Sequence, residues 1–215
     1  MVALASGWMA QASIVIETLA DAEIPTSYTG LSSAVSLSGE IGPIQNLRVS
    51  LNISGVPNGN LYAYLSHGSD LVVLLNRVGR TASDSAGYQD MGLNVAFEQN
   101  MADVHQYRPA GSGPLLGPLT GAWGVDGRNV SPFTVTDASA RTTYLSSFVG
   151  KDPNGEWFLF VANLGDGGAG AKLESWGLEM NYAPVPEAGT WVSGMACVGL
   201  IGLTALVRKH PTSGL

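Results

Sequence analysis

Residues 155–182 read GEWFLFVANLGDGGAGAKLESWGLEMNY, and this stretch decides the fold class. Residues 157–162, WFLFVA, are apolar at every position, the pattern of a strand buried on both faces. Residues 163–171 hold four glycines and Asp166, which makes a turn and excludes a helix. From 175 to 182 the alternation is strict. Trp176, Leu178, Met180 and Tyr182 share one face, and Ser175, Gly177, Glu179 and Asn181 the other. The expectation is a β-hairpin whose large aromatics need a second sheet to cover them. Trp157 or Phe158, and Trp176, should then be buried between two antiparallel sheets.

The same periodicity continues outward. In residues 46–54, Leu47, Val49, Leu51 and Ile53 alternate with Arg48, Ser50, Asn52 and Ser54. Residues 61–65 and 71–75 are strands on either side of Ser66-His67-Gly-Ser-Asp70, and residues 56–59, VPNG, form a turn. Residues 92–98 place Leu93, Val95 and Phe97 on one face, and residues 13–19 supply a first strand. Residues 79–87 form a polar loop. Residues 105–132 carry Pro109, Pro114, Pro118 and Pro132 and read as a long irregular excursion, of the kind that is functional or mobile. No stretch from 13 to 183 sustains helical spacing without glycine or proline. The fold class is all-β: a jelly-roll-like antiparallel β-sandwich with one C-terminal transmembrane helix.

The composition agrees. The chain has 215 residues, enough for one good-sized domain and its tails, and only 13% are charged. That low charge content fits an exported β-protein. The net charge of -7 excludes nucleic acid as a partner, since that binding needs a basic surface. Cys197 is the only cysteine, which rules out an internal disulfide and a cysteine-based zinc site.

Phe148-Val-Gly150, then Gly155-Glu-Trp157-Phe-Leu-Phe-Val161, then the glycine-rich turn, then Leu173-Glu-Ser-Trp176-Gly-Leu-Glu179, resembles the closing strands of the P domain. This is the β-sandwich that follows the catalytic domain in proprotein convertases and occurs in many bacterial secreted proteins. Ile24-Pro25 is similar to its opening turn. His67, Asp70 and Leu71 match the family's His, short turn and Asp-Leu. Asn76-Arg-Val-Gly79 departs from the family's Ser-Pro-Ser-Gly. The resemblance implies that His67 and Asp70 brace a turn rather than catalyse.

Both ends read as export signals. Residues 1–12 are apolar and end in Ala10-Gln-Ala12, a cleavage-like triplet, and are read as a signal-peptide remnant. At the other end, residues 184–215 hold three parts in order: Val185-Pro186-Glu187, an apolar segment over 191–207, and Arg208-Lys209. Seventeen helical residues span roughly 25 Å, near the short limit for a bilayer. The basic pair would stay cytoplasmic. This order resembles the PEP-CTERM sorting signal, with Ala188 standing where its commonest form has a second proline. The resemblance implies an exosortase-type processing protease as partner. It also implies an inner-membrane-anchored precursor, and a mature protein at the cell surface or outside the cell. The plainer alternative is a C-terminal anchor.

Little catalytic chemistry is legible. Gly165-Asp-Gly167-Gly-Ala-Gly170 fits G-x-G-x-x-G, but a strand follows it where a dinucleotide site needs a helix. There is no G-x-S-x-G and no H-E-x-x-H, and the histidines are His67, His105 and His210. Asp152, Asn154 and Glu156 place oxygens at alternate positions, as calcium loops do, while turn chemistry alone explains the same residues. Asp103, Asp126 and Asp166 are further loop carboxylates. The expected function is therefore a non-catalytic structural or adhesive module of an exported surface or extracellular-matrix protein, with extracellular polysaccharide as a partner. Two alternatives stand beside it. One is a carbohydrate-binding or calcium-dependent lectin-like module, which an exposed platform of Tyr62, Tyr64, Trp123 or Tyr107 would favour. The other is an accessory domain of a secreted protease system.

Overall fold

The computed structural model describes residues 12–26, 28–109, 111–165 and 170–182. All of these fall in the first of two units, Met1–Ala183 and Pro184–Leu215. The signal-peptide remnant up to residue 11, Asp166, the sorting motif Val185-Pro186-Glu187, the apolar segment 191–207 and Arg208-Lys209 lie outside the described residues. Among the described residues no helix is long and apolar enough to cross a membrane.

Among the described residues nine strands form the framework: β1 (Ala12–Glu23), β2 (Leu31–Leu37), β3 (Ile44–Pro57), β4 (Leu61–His67), β5 (Asp70–Asn76), β6 (Met91–Phe97), β7 (Leu119–Trp123), β8 (Gly155–Asn163) and β9 (Lys172–Tyr182). They make a five-stranded sheet in the order β1-β9-β3-β6-β7 and a four-stranded sheet in the order β2-β8-β4-β5. The helical elements among the described residues are short 3-10 turns at Asn58–Asn60, Val104–Gln106 and Leu145–Phe148.

The alternation expected at 46–54 holds: Leu47, Val49, Leu51 and Ile53 are at most 1% exposed. Trp157, at 0%, and Trp176, at 1%, are buried as expected. Complete burial of such side chains stabilises by roughly 25 cal/mol per Å² of apolar surface removed from water.

Three expectations need correction. First, β8 and β9 are not a hairpin. Both edges of β8 are taken by β2 and β4, and both edges of β9 by β1 and β3, so the two strands lie in different sheets. β8 ends at Asn163 in one sheet and β9 begins at Lys172 in the other. The tryptophans therefore enter the core from opposite sides, and Trp176 Nε1 donates to Ser33 Oγ of the facing sheet at 2.9 Å. Second, the proline-rich excursion contains a strand. β7 pairs with β6 in parallel, from Leu93↔Leu119 to Phe97↔Trp123. A parallel neighbour needs a long crossover, which residues 98–118 provide. Third, β8 is not buried on both faces. Trp157, Leu159 and Val161 point inward at 0% exposure, while Phe158 stands 41% exposed on the other side.

Candidate functional site

The outward face of the four-stranded sheet carries the aromatics that β4 and β8 do not send into the core. Register places Tyr64 opposite Phe160, Tyr62 opposite Ala162, and Ser66 opposite Phe158. Tyr64 and Phe160 stack with centroids 5.0 Å apart and planes at 17°. Tyr62 meets both edge-on, at 6.0 and 6.3 Å. Aromatic pairs prefer these geometries because ring edges are positive and faces negative. Burial is also what raises the Tyr62 phenol above its ordinary value, with Tyr64 adding to it. On the β2 side the neighbours Ser32, Ala34 and Ser36 are small, which leaves Phe158 uncovered. Gly30 has φ 57°, and a Cβ there would collide with the Phe160 ring, so the chain entering β2 rests directly on the cluster. Two residues earlier, Tyr28 meets Phe133 edge-on at 5.3 Å, the two being 72% and 53% exposed.

Of the expected platform, Tyr62 and Tyr64 stand together, and Phe160 and Phe158 extend them. Tyr107 is excluded: it is only 6% exposed, and its hydroxyl donates to Asp90 Oδ2 at 2.7 Å. Trp123 lies on β7 in the other sheet, its Nε1 donating to Thr120 O. Phe158 and Phe160 escaped the sequence reading because a run apolar at every position hides which half of it faces water.

The loop before β8 holds the residues proposed for calcium. Asp152 Oδ1 accepts from Asn154 N at 2.9 Å and from Asn154 Nδ2 at 2.7 Å. Those two bonds, with a smaller contribution from His67, hold the Asp152 carboxyl below its ordinary range. Asn154 Oδ1 in turn accepts from Glu40 N at 2.9 Å. Asp152 and Asn154 thus serve each other and Glu40, while Glu156 stands exposed on β8. Among the described residues no cluster of three His, Cys, Asp or Glu is placed to hold a metal.

His67 braces this loop. Its ring lies flat on Trp157, centroids 4.1 Å apart and planes at 4°. Its Nδ1 and Nε2 each sit 2.9 Å from a backbone carbonyl, of Glu156 and Asp152. Asp70 is ion-paired to Lys151 at 3.2 Å.

Two further groups of titratable side chains form largely buried knots. In the first, Asp126 Oδ2 is 2.7 Å from His105 Nδ1 and accepts from Asn76 N, while Oδ1 accepts from Arg128. His105 Nε2 faces Arg80 O at 3.1 Å, and Arg128 Nη2 donates to Asp103 Oδ2 at 2.8 Å. In the second, Asp90 accepts from Tyr107, from Leu115 N and from Arg108. His105 and Asp126 are both 0% exposed, and their contacts tie the segments at Arg80, 103–105 and 126–128 to one another. Charged residues in a glycine-rich excursion read as solvated, and nothing local in the sequence announces that these partners meet.

No family model matches the chain, and no curated protein does. Among solved structures it is similar to a chain of the complex of Aeromonas sobria serine protease (ASP) and its chaperone (ORF2). The identity is 12% and the TM-score 0.41, over 82% of this chain and 28% of that one. This chain thus spans less than a third of the length of the one it resembles.

Proposed function

We propose that the sandwich is a non-catalytic adhesive module of an exported bacterial surface or matrix protein, and that it holds neutral polysaccharide against the outer face of its four-stranded sheet. The observation that carries this is the outward-facing cluster of half-buried Tyr62, Tyr64 and Phe160, with exposed Phe158 beside it on the same face. Flat rings stack on the apolar C–H faces of sugars, and the two phenols supply hydrogen bonds. The net charge of -7 disfavours an acidic polymer, which leaves a neutral one. The acid–base groups sealed in the interior support the non-catalytic part of the reading. In this reading the module is a jelly-roll-like sandwich of P-domain type.

The C-terminal part rests on sequence. Val185-Pro186-Glu187, the apolar stretch 191–207 and Arg208-Lys209 are in the order of an exosortase-processed sorting signal. Arg208 and Lys209 would hold the precursor in the inner membrane, since each costs roughly 2.5–3.5 kcal/mol at a bilayer centre. Two experiments check the two halves. In affinity gels cast with neutral polysaccharide, Phe158→Ala and Tyr64→Ala should abolish retardation of the protein. Retardation equal to wild type would remove the aromatic face from the account. Intact mass of the exported protein should end near Pro186. A mass that retains residues 191–210 while an exosortase is present would make the segment a plain anchor.

A further inference from the structure

Between the buried Tyr107 and the start of β7, residues 109–118 read PAGSGPLLGP. Residues 111–118 are all exposed, and Leu116, at 108%, is the most exposed large apolar residue among those described. A Cβ at Gly113 or at Gly117 would meet nothing within 4 Å, so the space on both sides of the two leucines is open. Among the described residues no backbone–backbone hydrogen bond reaches 113–117. An endopeptidase has to draw several residues of its substrate into an extended form, and it takes them where few bonds are lost. Here the bonds at stake are few. Leu115 N donates to Asp90 Oδ1 at 2.7 Å, Arg108 Nη2 donates to Ser112 O at 3.0 Å, and Ser112 N donates to Pro109 O at 3.0 Å.

The residue types select the class of enzyme. Residues 109–118 hold no charged side chain, and Arg108 is followed by Pro109, so an enzyme specific for basic or acidic residues has nothing to grip. The bonds into Pro114 and Pro118 lead to residues with no N–H and a fixed φ, which suits few peptidase clefts. Leucine is the only large side chain in the loop. Leu115 is held by Asp90 through its N–H, whereas Leu116 is free and is followed by Gly117, which adds no bulk on the leaving side. Phe133 is 53% exposed as well, but its N–H donates to Ser131 Oγ and its carbonyl accepts from Arg80 Nη2, so its backbone is held on both sides.

Topology decides what a cut in this loop would do. Residues up to 116 contain β1 to β6, and those from 117 contain β7 to β9. β8 lies between β2 and β4, and β9 between β1 and β3, so the two pieces interleave in both sheets. Parting them means unfolding both sheets.

We propose that the Leu116–Gly117 bond is a cleavage site for an endopeptidase with an apolar specificity pocket, and that the cut protein persists as two interleaved chains. Water adds across the peptide bond: its oxygen joins the Leu116 carbonyl carbon, the bond to Gly117 N breaks, and a carboxylate and an ammonium are left. The inference is independent of the glycan reading. To test it, the whole chain in mild detergent is treated with a small amount of chymotrypsin, which takes large apolar side chains, and followed by intact mass. Within residues 12–182 the first new N-terminus should be Gly117. The two chains should elute together on gel filtration and part only in denaturant. Leu116→Asp should slow that cut about tenfold or more, because an apolar pocket rejects a carboxylate. Its Tm should match wild type, since a side chain wholly in solvent contributes little to the fold. The proposal is overturned if the first cut within 12–182 falls elsewhere, after Tyr28 or Phe133 for example, or if no cut occurs in that range. It is equally overturned if Leu116→Asp is cut at the wild-type rate, or if the chains separate without denaturant.

Discussion

Asp126→Ala tests whether the buried ionic knot holds the long loops to the sandwich. The carboxylate is 0% exposed and accepts from His105, Asn76 N and Arg128. Removing it leaves an imidazole and a backbone N–H in the interior without that acceptor, and leaves the Arg128 guanidinium with Asp103 as its remaining carboxylate. Breaking one side of a buried ion pair costs about 3–5 kcal/mol, because the charge left behind stays desolvated. Against a total stability of roughly 5–15 kcal/mol, that is about a fifth or more of the whole. For a domain of this size it lowers Tm by about 6–20 °C. Urea unfolding followed by tryptophan fluorescence reads the change, since Trp157 and Trp176 are buried and report on loss of the core. Asp126→Asn keeps the shape and some of the acceptors, and should lose less. A double-mutant cycle with His105→Leu should return a coupling of roughly 0.5–3 kcal/mol. A loss below about 1 kcal/mol for Asp126→Ala, with an unchanged m-value, refutes the reasoning, because that is the cost of an exposed pair.

Other perturbations follow from the same geometry. The Tyr107 phenol is pushed up by burial, with the Asp90 carboxylate beside it reinforcing the shift against Asn58. Its folded value lies above the unfolded one of about 10, so its contribution is complete below that pH and is lost as pH rises through the folded value. Tyr107→Phe should therefore be less stable at neutral pH yet show a flatter loss of Tm in alkali, and parallel alkaline slopes would contradict this. Gly55 has φ 73°, and a Cβ there would collide with the Gly170 carbonyl. Gly55→Ala should cost about 1–3 kcal/mol or more in urea unfolding, and a neutral result would show that the approach of β3 to the start of β9 is looser than described. Calcium against chelator should leave Tm unchanged, because Asp152 and Asn154 are committed to each other and to Glu40. A rise in Tm would place a cation there after all.

Period-two alternation records which face of a strand is buried, and that is why the core side of β3 and the burial of Trp157 and Trp176 were legible. It does not record which strand lies beside which. The pairing of β9 between β1 and β3 depends on contacts with residues more than a hundred positions away, so a hairpin was the local guess and the wrong one. β7 was hidden because LTGAW is short, has Gly121 at its centre and follows Pro118, all signals of a loop. At the candidate site Tyr62 and Tyr64 stood out by alternation, whereas Phe158 and Phe160 merged into an apolar run. The buried knots were invisible for a third reason: Asn76 and Asp126 are fifty residues apart and nothing in either neighbourhood asks for the other.

Hydroxyl-radical footprinting of the protein, with and without a neutral polysaccharide, tests the proposed adhesive face most directly. Phenylalanine and tyrosine side chains are oxidised in proportion to their exposure, so the label reads the proposed contact atom by atom. The account predicts that Phe158, Tyr64 and Tyr62 become protected when polymer is bound, while Met91, exposed on the other sheet, is labelled as before. Protection of Met91 with Phe158 unchanged, or no protection anywhere, would contradict it.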